Sequence, residues 1–332
     1  IKALSNVKGD YQVVEFSLHS VEQNVTAGDI VVSMLPGNFH VPIAELCLSL
    51  NAHFVSSSYI SDEMRALNSA AREKNLCFVN EVEDYKNSAE FSAKNEHSFL
   101  SYCGGLSDIP NDFCYKFSWS PLGVLKALMS TSVSIRDGEV FTVTKPWESV
   151  ELYPLPMPWG EDEFEVYPNR DSLPFIEQYQ MDDDLNIKQF VRGTLRYKGW
   201  KNAWGEIFSE VDTLDPSIAE SRLKEISDDL WDKYSYKDGE VDRVILTVEL
   251  KVENESQIVW HKQYLMDTLG NHKGSAMAQL VSCSVALAVE AVLGNEISYG
   301  VSAAPHQSEL VSRWLGQAEE ISDHFVLIDH LK

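Results

Sequence analysis

Two short segments place small polar residues directly after apolar strands, where open α/β sheets collect ligand-binding groups. Gly28–Leu35 (GDIVVSML) is a continuous apolar run broken by Pro36 and Gly37, and Val55–Ser61 (VSSSYIS) clusters hydroxyls after the next apolar run. Loop amides and helix N-termini meet at the carboxyl edge of such a sheet. The two strand ends predict a cofactor crevice, although ordinary βα loops and serine capping would give the same letters.

Arginine is concentrated in two later segments of this acidic chain. Arg170 lies in Tyr167–Ser172 (YPNRDS), and Arg192 and Arg196 lie in Gln189–Trp200 (QFVRGTLRYKGW). The planar guanidinium fork binds a carboxylate through two parallel hydrogen bonds. These segments therefore predict a carboxylate-binding site, with internal salt bridges to Asp and Glu as the alternative.

Other catalytic patterns are missing from the sequence. It contains no GxGxxG phosphate cradle, and the glycines of Cys103–Gly105 (CGG) are not followed by a helix pattern. The histidines form no HxH or HxxxH pair, so no metal site is predicted, and no GxSxG elbow indicates a hydrolase. His40 and His53 are interpreted as structural residues.

The N-terminal part alternates strand and helix patterns. Apolar runs predict strands at Gly28–Leu35, His53–Ser57 and Leu76–Val82, and helical spacing predicts helices at Val41–Leu50 and Ser61–Asn75. This alternation is typical of right-handed βαβ units and of a doubly wound parallel sheet.

From about Glu83 the pattern changes to aromatic strands and hairpins, such as the turn at Asp137–Gly138 and the strand pair within Val244–Trp260. These features predict a second domain of the α+β class. The run Ala276–Leu293 is apolar nearly all round, so we expect a deeply buried helix beside the N-terminal parallel strands. The pattern of His324–Leu331 predicts a closing strand.

Composition excludes several classes of partner. The 332 residues include 27 Lys and Arg against 51 Asp and Glu, a formal net charge of −24, which disfavours nucleic acid and anionic membrane surfaces. The longest apolar run, Leu280–Leu293, is shorter than a membrane span needs and contains Glu290. The five cysteines show no CxxC spacing, which predicts reduced thiols in a cytoplasmic protein.

Six strings occur in a fixed order: SMLP, SSYIS, SYCGGL, YKFSWSP, YPNRDS and RGTLRYKGW. Together they resemble the saccharopine dehydrogenase (glutamate-forming) or saccharopine reductase family, from about Asp29 to Gly274. The resemblance implies a Rossmann-like dinucleotide-binding domain over 1–82 and 275–332, interrupted by an α+β substrate-binding and dimerisation domain over 83–274. We expect the first βαβ unit of that fold to be missing from the sequence. The resemblance also implies a homodimer that uses NAD or NADP to interconvert saccharopine with glutamate and 2-aminoadipate 6-semialdehyde.

The resemblance assigns roles to individual residues. The positions that match the cofactor site are Leu35, Ser57, Ser58 and Ser118. The positions that match the substrate site are Ser58, Tyr59, Arg170, Thr194, Leu195 and Arg196. We expect Arg170 and Arg196 to face one cleft with Ser58 and Tyr59, where three substrate carboxylates need arginine partners.

The chain departs from the family pattern at one informative point. Family members continue after the segment ending at Val82 with an Asp-Pro-Gly turn and an Asp-His pair, but here Val82 is followed by EDYKNSAEF. We expect omitted residues at this point and before Ile1, and we assign no general acid or base. The alternatives are a related C–N-bond dehydrogenase, such as a carboxynorspermidine-type enzyme, and a catalytically degenerate binding homologue.

Overall fold

The chain folds into two compact units and crosses between them three times. Unit 1 lies within Ile1–Glu83 and Ser284–Pro305, and unit 2 within Asp84–Cys283 and His306–Lys332. Most of unit 2 is therefore inserted into the sequence of unit 1. The computed structural model describes residues 10, 12–80, 94–179, 181, 185–215, 217–303 and 307–332.

Unit 1 is built on a four-stranded parallel sheet of order β1-β2-β3-β12. The strands are β1 (Ile30–Ser33), β2 (His53–Ser56), β3 (Cys77–Val79) and β12 (Gly300–Ser302). The helices are α1 (Leu18–Asn24), α2 (His40–Leu50), α3 (Asp62–Ala66) and α4 (Asn68–Glu73), and a 3₁₀ turn (Gly37–Phe39) precedes α2. A parallel arrangement brings all four carboxyl ends to one edge of the sheet.

Local sequence signals explain the unit 1 elements. Ser61 caps α3 by accepting the Met64 N–H at 3.2 Å, and Asn51 ends α2 in the left-handed conformation with φ of 55°. The apolar face of α2 packs on Phe54 and Phe78 of the central strands. Burial of this cluster fixes the helices against the sheet.

Unit 2 is built on a nine-stranded mixed sheet whose main path runs β13-β11-β10-β4-β9-β5-β6, with β8 pairing β9 and β7 pairing β8. The strands are β4 (Glu96–Ser107), β5 (Ser132–Arg136), β6 (Glu139–Val143), β7 (Glu151–Met157), β8 (Gly160–Pro168), β9 (Asn186–Tyr197), β10 (Asp242–Asn254), β11 (Gln257–Leu269) and β13 (His324–Asp329). The helices are α5 (Pro121–Leu128), α6 (Pro174–Gln178), α7 (Trp200–Ala203), α8 (Gly205–Asp212), α9 (Ala219–Tyr234) and α11 (Ser308–Ile321), with a 3₁₀ turn at Pro146–Ser149.

Glycines set the close approach of β9, the strand that carries Arg192 and Arg196, to its neighbours. A Cβ atom at Gly193 of β9 would lie 2.6 Å from the Tyr167 carbonyl oxygen, and one at Gly104 of β4 would lie 2.5 Å from the Leu195 carbonyl oxygen. Only glycine fits both positions. On one side of this sheet, an aromatic cluster that includes Trp200 and Trp204 forms the largest part of the core.

The helix α10 (Ala276–Leu293) differs from the sequence-based expectation. Only 28% of its residues are buried, so the expected deep burial is wrong. Its first turn is capped by Asp242 of unit 2, which accepts the Ala276 N–H at 2.8 Å, whereas its residues from Ser284 onward belong to unit 1. An apolar composition alone does not determine how much of a helix surface is covered by other elements.

By length and composition alone, α10 is also long and apolar enough to cross a membrane, contrary to the exclusion made from the sequence. It has 18 residues with a mean hydropathy of 1.8. One such helix is also common in the interior of proteins that never enter a bilayer. No membrane assignment follows from it.

The C-terminal segment also lies elsewhere than the sequence analysis placed it. Residues 306–332 belong to unit 2 rather than to the parallel-sheet unit, because β13 pairs antiparallel with β11, with Phe325 opposite Met266. The Tyr264 and Phe325 rings also contact each other, with centroids 5.7 Å apart. The sequence predicted that this segment forms a strand. The sheet that the strand joins depends on residues of β11 that lie more than fifty positions away in the chain.

Candidate functional site

Each strand of the unit 1 sheet is followed or ended by a small polar residue at the carboxyl edge. These residues are Ser33, Ser56, Asn80 and Ser302. The Ser56 hydroxyl donates to Oδ1 of Asn80 at 2.9 Å, but the hydroxyls of Ser33 and Ser302 are buried without a protein partner in the described part of the chain. Buried hydroxyls that lack protein partners at this edge fit a polar ligand such as a dinucleotide.

The structure brings four of the residues singled out in the sequence to this edge. Leu35 follows β1 and partly packs on the unit 1 core. Ser57, Ser58 and Tyr59 follow β2, where Ser57 is exposed, Ser58 is half-buried and Tyr59 is 42% exposed. This placement is where a ligand bound at the carboxyl edge would contact them.

One residue at the edge was missed as a functional candidate. His40 begins α2 and is only 4% exposed, and its Nε2 lies 2.9 Å from the hydroxyl of Ser58. Burial lowers the pKa of His40, and the Leu35 carbonyl opposes that shift only in part. A lone histidine carries no sequence signal for this contact, because the contact joins two separate strand ends.

In unit 2, Arg196 lies in an aromatic enclosure. Its guanidinium carbon is 4.7 Å from the ring centroid of Tyr115, 5.8 Å from that of Tyr167 and 5.7 Å from that of Trp200. Arg196 is only 7% exposed. Stacking against aromatic rings holds the planar group in a fixed orientation.

Arg196 forms no ion pair with a carboxylate among the described residues. Its Nη1 donates to the Leu195 carbonyl at 3.1 Å, while its buried Nε finds no hydrogen-bond partner in the part of the chain that the structure describes. Glu165, the cross-strand neighbour of Arg196, instead accepts the N–H groups of Gly199 at 2.9 Å and Lys201 at 2.7 Å. A buried guanidinium whose Nε has no partner is suited to a carboxylate ligand.

The other substrate-site candidates of unit 2, Arg170, Thr194 and Leu195, differ in environment. Arg192, Thr194 and Arg196 share one face of β9 because strand side chains alternate, and the Arg192 guanidinium stacks 3.6 Å from the Phe175 ring. Arg170, just after β8, is exposed and has a left-handed backbone with φ of 57°. The Leu195 side chain is fully buried in the core, so only its backbone is available to a ligand.

Ser118 belongs to unit 2, unlike the other three cofactor candidates. It is exposed and lies between an isolated bridge at Phe117 and the start of α5. Within each unit, the structure thus groups Ser57, Ser58 and Tyr59 in one place and Thr194 and Arg196 in another.

The described residues contain no group of three or more His, Cys, Asp or Glu side chains that could hold a metal ion. All five cysteines are free thiols. Burial raises the pKa of the Cys47 thiol to about 12, so this thiol is protonated and unreactive near neutral pH.

A parallel α/β unit with polar strand ends, interrupted by a mixed-sheet unit, is the architecture of two-domain dinucleotide-binding proteins. Residues 62–322 match the sequence model of the saccharopine dehydrogenase C-terminal domain, and residues 9–79 match that of the saccharopine dehydrogenase NADP binding domain. The chain belongs to the saccharopine dehydrogenase family. It is an oxidoreductase of lysine metabolism with an NADP binding domain.

Individual relatives agree with this assignment. The chain is 28% identical over 375 residues to saccharopine dehydrogenase [NADP(+), L-glutamate-forming] of Pyricularia oryzae, covering 88% of this chain and 82% of the relative. It is 25% identical over 387 residues to the mitochondrial alpha-aminoadipic semialdehyde synthase of Bos taurus, covering 90% of this chain but 41% of that longer protein.

Two solved structures share the fold. Apo saccharopine dehydrogenase (L-Glu forming) from Saccharomyces cerevisiae matches with a TM-score of 0.69 and 23% identity, over 94% of this chain and 86% of that one. The homospermidine synthase of Legionella pneumophila in complex with NAD matches with a TM-score of 0.53 and 9% identity, over 94% and 78% of the two chains.

The alignments also show that the relatives contain internal positions absent from this chain. The alignment with the Pyricularia protein spans 375 positions, more than the 332 residues of the whole chain. At least one internal stretch of the relative therefore has no counterpart here. The expected site of omission, between Val82 and Glu83, lies outside the described residues.

Proposed function

We propose that this protein interconverts saccharopine with L-glutamate and 2-aminoadipate 6-semialdehyde, using NADP. The observation that carries the proposal is the buried guanidinium of Arg196, whose Nε has no hydrogen-bond partner and which forms no ion pair with a carboxylate among the described residues. Family membership supplies the reaction class.

The chemistry of the substrate suits the unit 2 arginine. Saccharopine carries three carboxylates, and a protein with a formal net charge of −24 must offset a repulsive overall field with local positive charge. Arg196, held between aromatic rings, would bind one carboxylate through its fork. Arg170 and Thr194 are the neighbouring candidates for polar contacts to the same substrate.

Unit 1 would hold the dinucleotide. The buried hydroxyls of Ser33 and Ser302, together with Leu35, Ser57 and Ser58, are the groups that would contact it at the carboxyl edge. A bound dinucleotide would supply the acceptor for a hydride from the CH–NH group of the substrate, and water would complete the cleavage of the C–N bond. The chain's own residues bind and orient the two ligands, and no general acid or base is assigned.

A second candidate function is a binding homologue without turnover. The internal positions that this chain lacks relative to the Pyricularia protein favour it, because the lost stretch would remove catalytic groups while leaving Arg196 in place. A related dehydrogenase that acts on a different C–N bond would differ from the proposed enzyme only in its substrate.

The deciding experiment follows dinucleotide reduction at 340 nm with saccharopine and either NAD+ or NADP+. We expect turnover with NADP+ and formation of glutamate in equal amount. NADPH binding without turnover indicates the binding homologue, and turnover only with another secondary amine indicates the related dehydrogenase. A chain that binds no dinucleotide contradicts all three.

We further propose that the active form is a homodimer, as the family resemblance implies, and that it is cytoplasmic, as its reduced thiols suggest. Light scattering coupled to size-exclusion chromatography measures the mass directly, against the 37.5 kDa of one chain. A monomer at assay concentration would contradict this part of the proposal.

A further inference from the structure

We propose that His40 is a positioning residue that fixes the Ser58 hydroxyl as a hydrogen-bond acceptor for a ligand N–H group. This inference rests on the proposed function, in which Ser58 contacts ligand. It assigns a role to a residue outside the predicted site, and it specifies the chemistry of the group that Ser58 can receive.

The geometry links two neighbouring strand ends. His40 begins α2, which follows β1, and Ser58 follows β2, the strand paired with β1. His40 Nε2 and Ser58 Oγ are 2.9 Å apart. The imidazole is only 4% exposed and packs edge-on against Phe54, with ring centroids 6.2 Å apart, which restrains its orientation.

The surroundings of the ring select one tautomer. Burial lowers the pKa of His40, so the imidazole is neutral near pH 7 and carries one proton. The Leu35 carbonyl, which can only accept, favours a proton on the ring. Because Nε2 faces Ser58, we assign that proton to Nδ1, the ring nitrogen left for the Leu35 carbonyl. Nδ1 is buried, and no described residue meets normal hydrogen-bond geometry with it. Nε2 is then an acceptor, and this assignment follows from the network.

The direction of the Ser58 hydrogen bond follows from the tautomer. A serine hydroxyl has one proton and two lone pairs, and the proton is committed to Nε2 of His40. The Ser58 backbone N–H points to the hydroxyl of Ser56 at 3.5 Å, which restrains the loop. On its accessible side, Ser58 can therefore only accept.

The matching ligand group is an N–H donor. A carboxamide nitrogen, such as that of a nicotinamide, or a substrate amine would be favoured. A carboxylate or phosphate oxygen would instead face the lone pairs of the Ser58 hydroxyl and find no donor there. Without His40 the hydroxyl rotates freely and loses this discrimination.

The test compares variants of His40 that differ in reach. Gln places an amide oxygen near the position of Nε2, so His40→Gln can still accept from Ser58, whereas His40→Asn and His40→Phe cannot. We expect His40→Phe and His40→Asn to weaken binding of the N–H ligand about fivefold, since one neutral hydrogen bond is at stake. His40→Gln should restore affinity to within about twofold of the wild type, because it remakes that bond.

Two sets of measurements identify which ligand supplies the N–H group. In one, the Kd of NADP+ is compared with that of its analogue carrying a carboxylate in place of the carboxamide. In the other, the KM and kcat of saccharopine are measured. We expect His40→Phe to reduce discrimination against the acid analogue if the carboxamide is the donor, or to raise the KM if the substrate amine is.

A double-variant cycle separates positioning from packing. If His40 acts through Ser58, the His40→Phe/Ser58→Ala double variant should bind no more weakly than Ser58→Ala alone. His53→Gln is the matched control, because His53 is half-buried in the same unit but accepts the Cys77 N–H at 3.0 Å at the opposite end of β2. Its ligand affinities should stay unchanged.

The outcomes separate this inference from the proposed function. If Ser58→Ala weakens binding but every His40 variant binds normally, or if the two losses add, the positioning role is overturned and the function stands. If the wild type binds no NADPH, both are overturned. Should His40→Phe fail to fold, the Gln and Asn pair decides, and equal loss in both contradicts the inference.

Discussion

At the residue scale, Arg196 is a buried cation that forms no ion pair with a carboxylate among the described residues. Substituting Arg196→Lys keeps the charge but removes the fork and the stacking against Tyr115 and Trp200. Loss of one charge-assisted contact of about 1.5–3 kcal/mol predicts a rise of roughly 10- to 150-fold in the KM for saccharopine. The Kd of NADPH should change little, because three of the four cofactor candidates, Leu35, Ser57 and Ser58, lie in unit 1 and not on β9.

The control for this variant is an arginine whose partners are known. Arg222 on α9 pairs with Glu210 at 2.6 Å and Glu225 at 2.8 Å, so Arg222→Lys should leave the KM unchanged. A drop in melting temperature for Arg196→Lys with an unchanged KM would identify Arg196 as structural instead. Applied to Arg170→Lys, the same pair of measurements tests whether that exposed arginine binds substrate.

The sequence singled out some of these residues and missed the contacts of others, for physical reasons. Arg196 was predictable because arginine on a strand of an acidic chain needs a partner. His40 was not, because its informative contact is with a hydroxyl eighteen positions away. The core position of Leu195 also escaped prediction, since motif similarity does not tell a side-chain contact from a backbone contact.

At the element scale, the glycines of β4 and β9 give a sharp test of the sheet. A methyl group at Gly193 would lie 2.6 Å from the Tyr167 carbonyl and 2.7 Å from the Tyr102 ring, so Gly193→Ala should destabilise the protein by about 1–3 kcal/mol through overpacking. Gly316 in α11 is the matched control. No described atom lies within 4 Å of a Cβ there, and Gly316→Ala should stabilise by about 0.5–1 kcal/mol. Urea unfolding of both variants checks the signs, and equal effects would contradict the close approach of β8 and β9.

We expect acid to lower the stability of the protein through His330, which directly follows β13. Burial and the adjacent His261 lower the pKa of His330, only partly opposed by Glu249 and Asp329. A base with a lowered folded-state pKa binds fewer protons in the folded than in the unfolded chain, so its contribution to stability is complete above about pH 6.5 and is lost as the pH falls below it. The melting temperature should therefore fall more steeply from pH 7 to pH 5.5 in the wild type than in His330→Asn.

The two proteins in that comparison differ only at the β13 edge. His330 Nε2 contacts Oε1 of Gln263 at 2.9 Å, and its ring stacks on His261 with centroids 4.1 Å apart. Parallel slopes in the two titrations would show that the acid sensitivity arises elsewhere, for instance at His40 or His53, whose pKa values burial also lowers.

Element types were more predictable than their partners. The strands β1, β2 and β3 followed from apolar runs, but the helix expected over Ser61–Asn75 is broken at Leu67 into α3 and α4. The break allows Asn68 to accept the Val301 N–H at 3.0 Å, a contact with β12. Such a tertiary contact overrides local helix preference and is invisible to periodicity.

At the scale of the whole molecule, overall charge and local charge act in opposite directions on an anionic substrate. The formal net charge of −24 repels saccharopine during approach, and salt screens that repulsion over a Debye length of about 8 Å at physiological ionic strength. The contact at Arg196 is short-range and 7% exposed, so salt weakens it much less. We therefore expect the KM for saccharopine to fall, with kcat unchanged, as sodium chloride rises from about 10 to about 150 mM. Arg196→Lys should show the same downward trend from a higher starting KM. A KM that rises with salt in the wild type would mean that exposed arginines, Arg170 among them, dominate capture of the substrate.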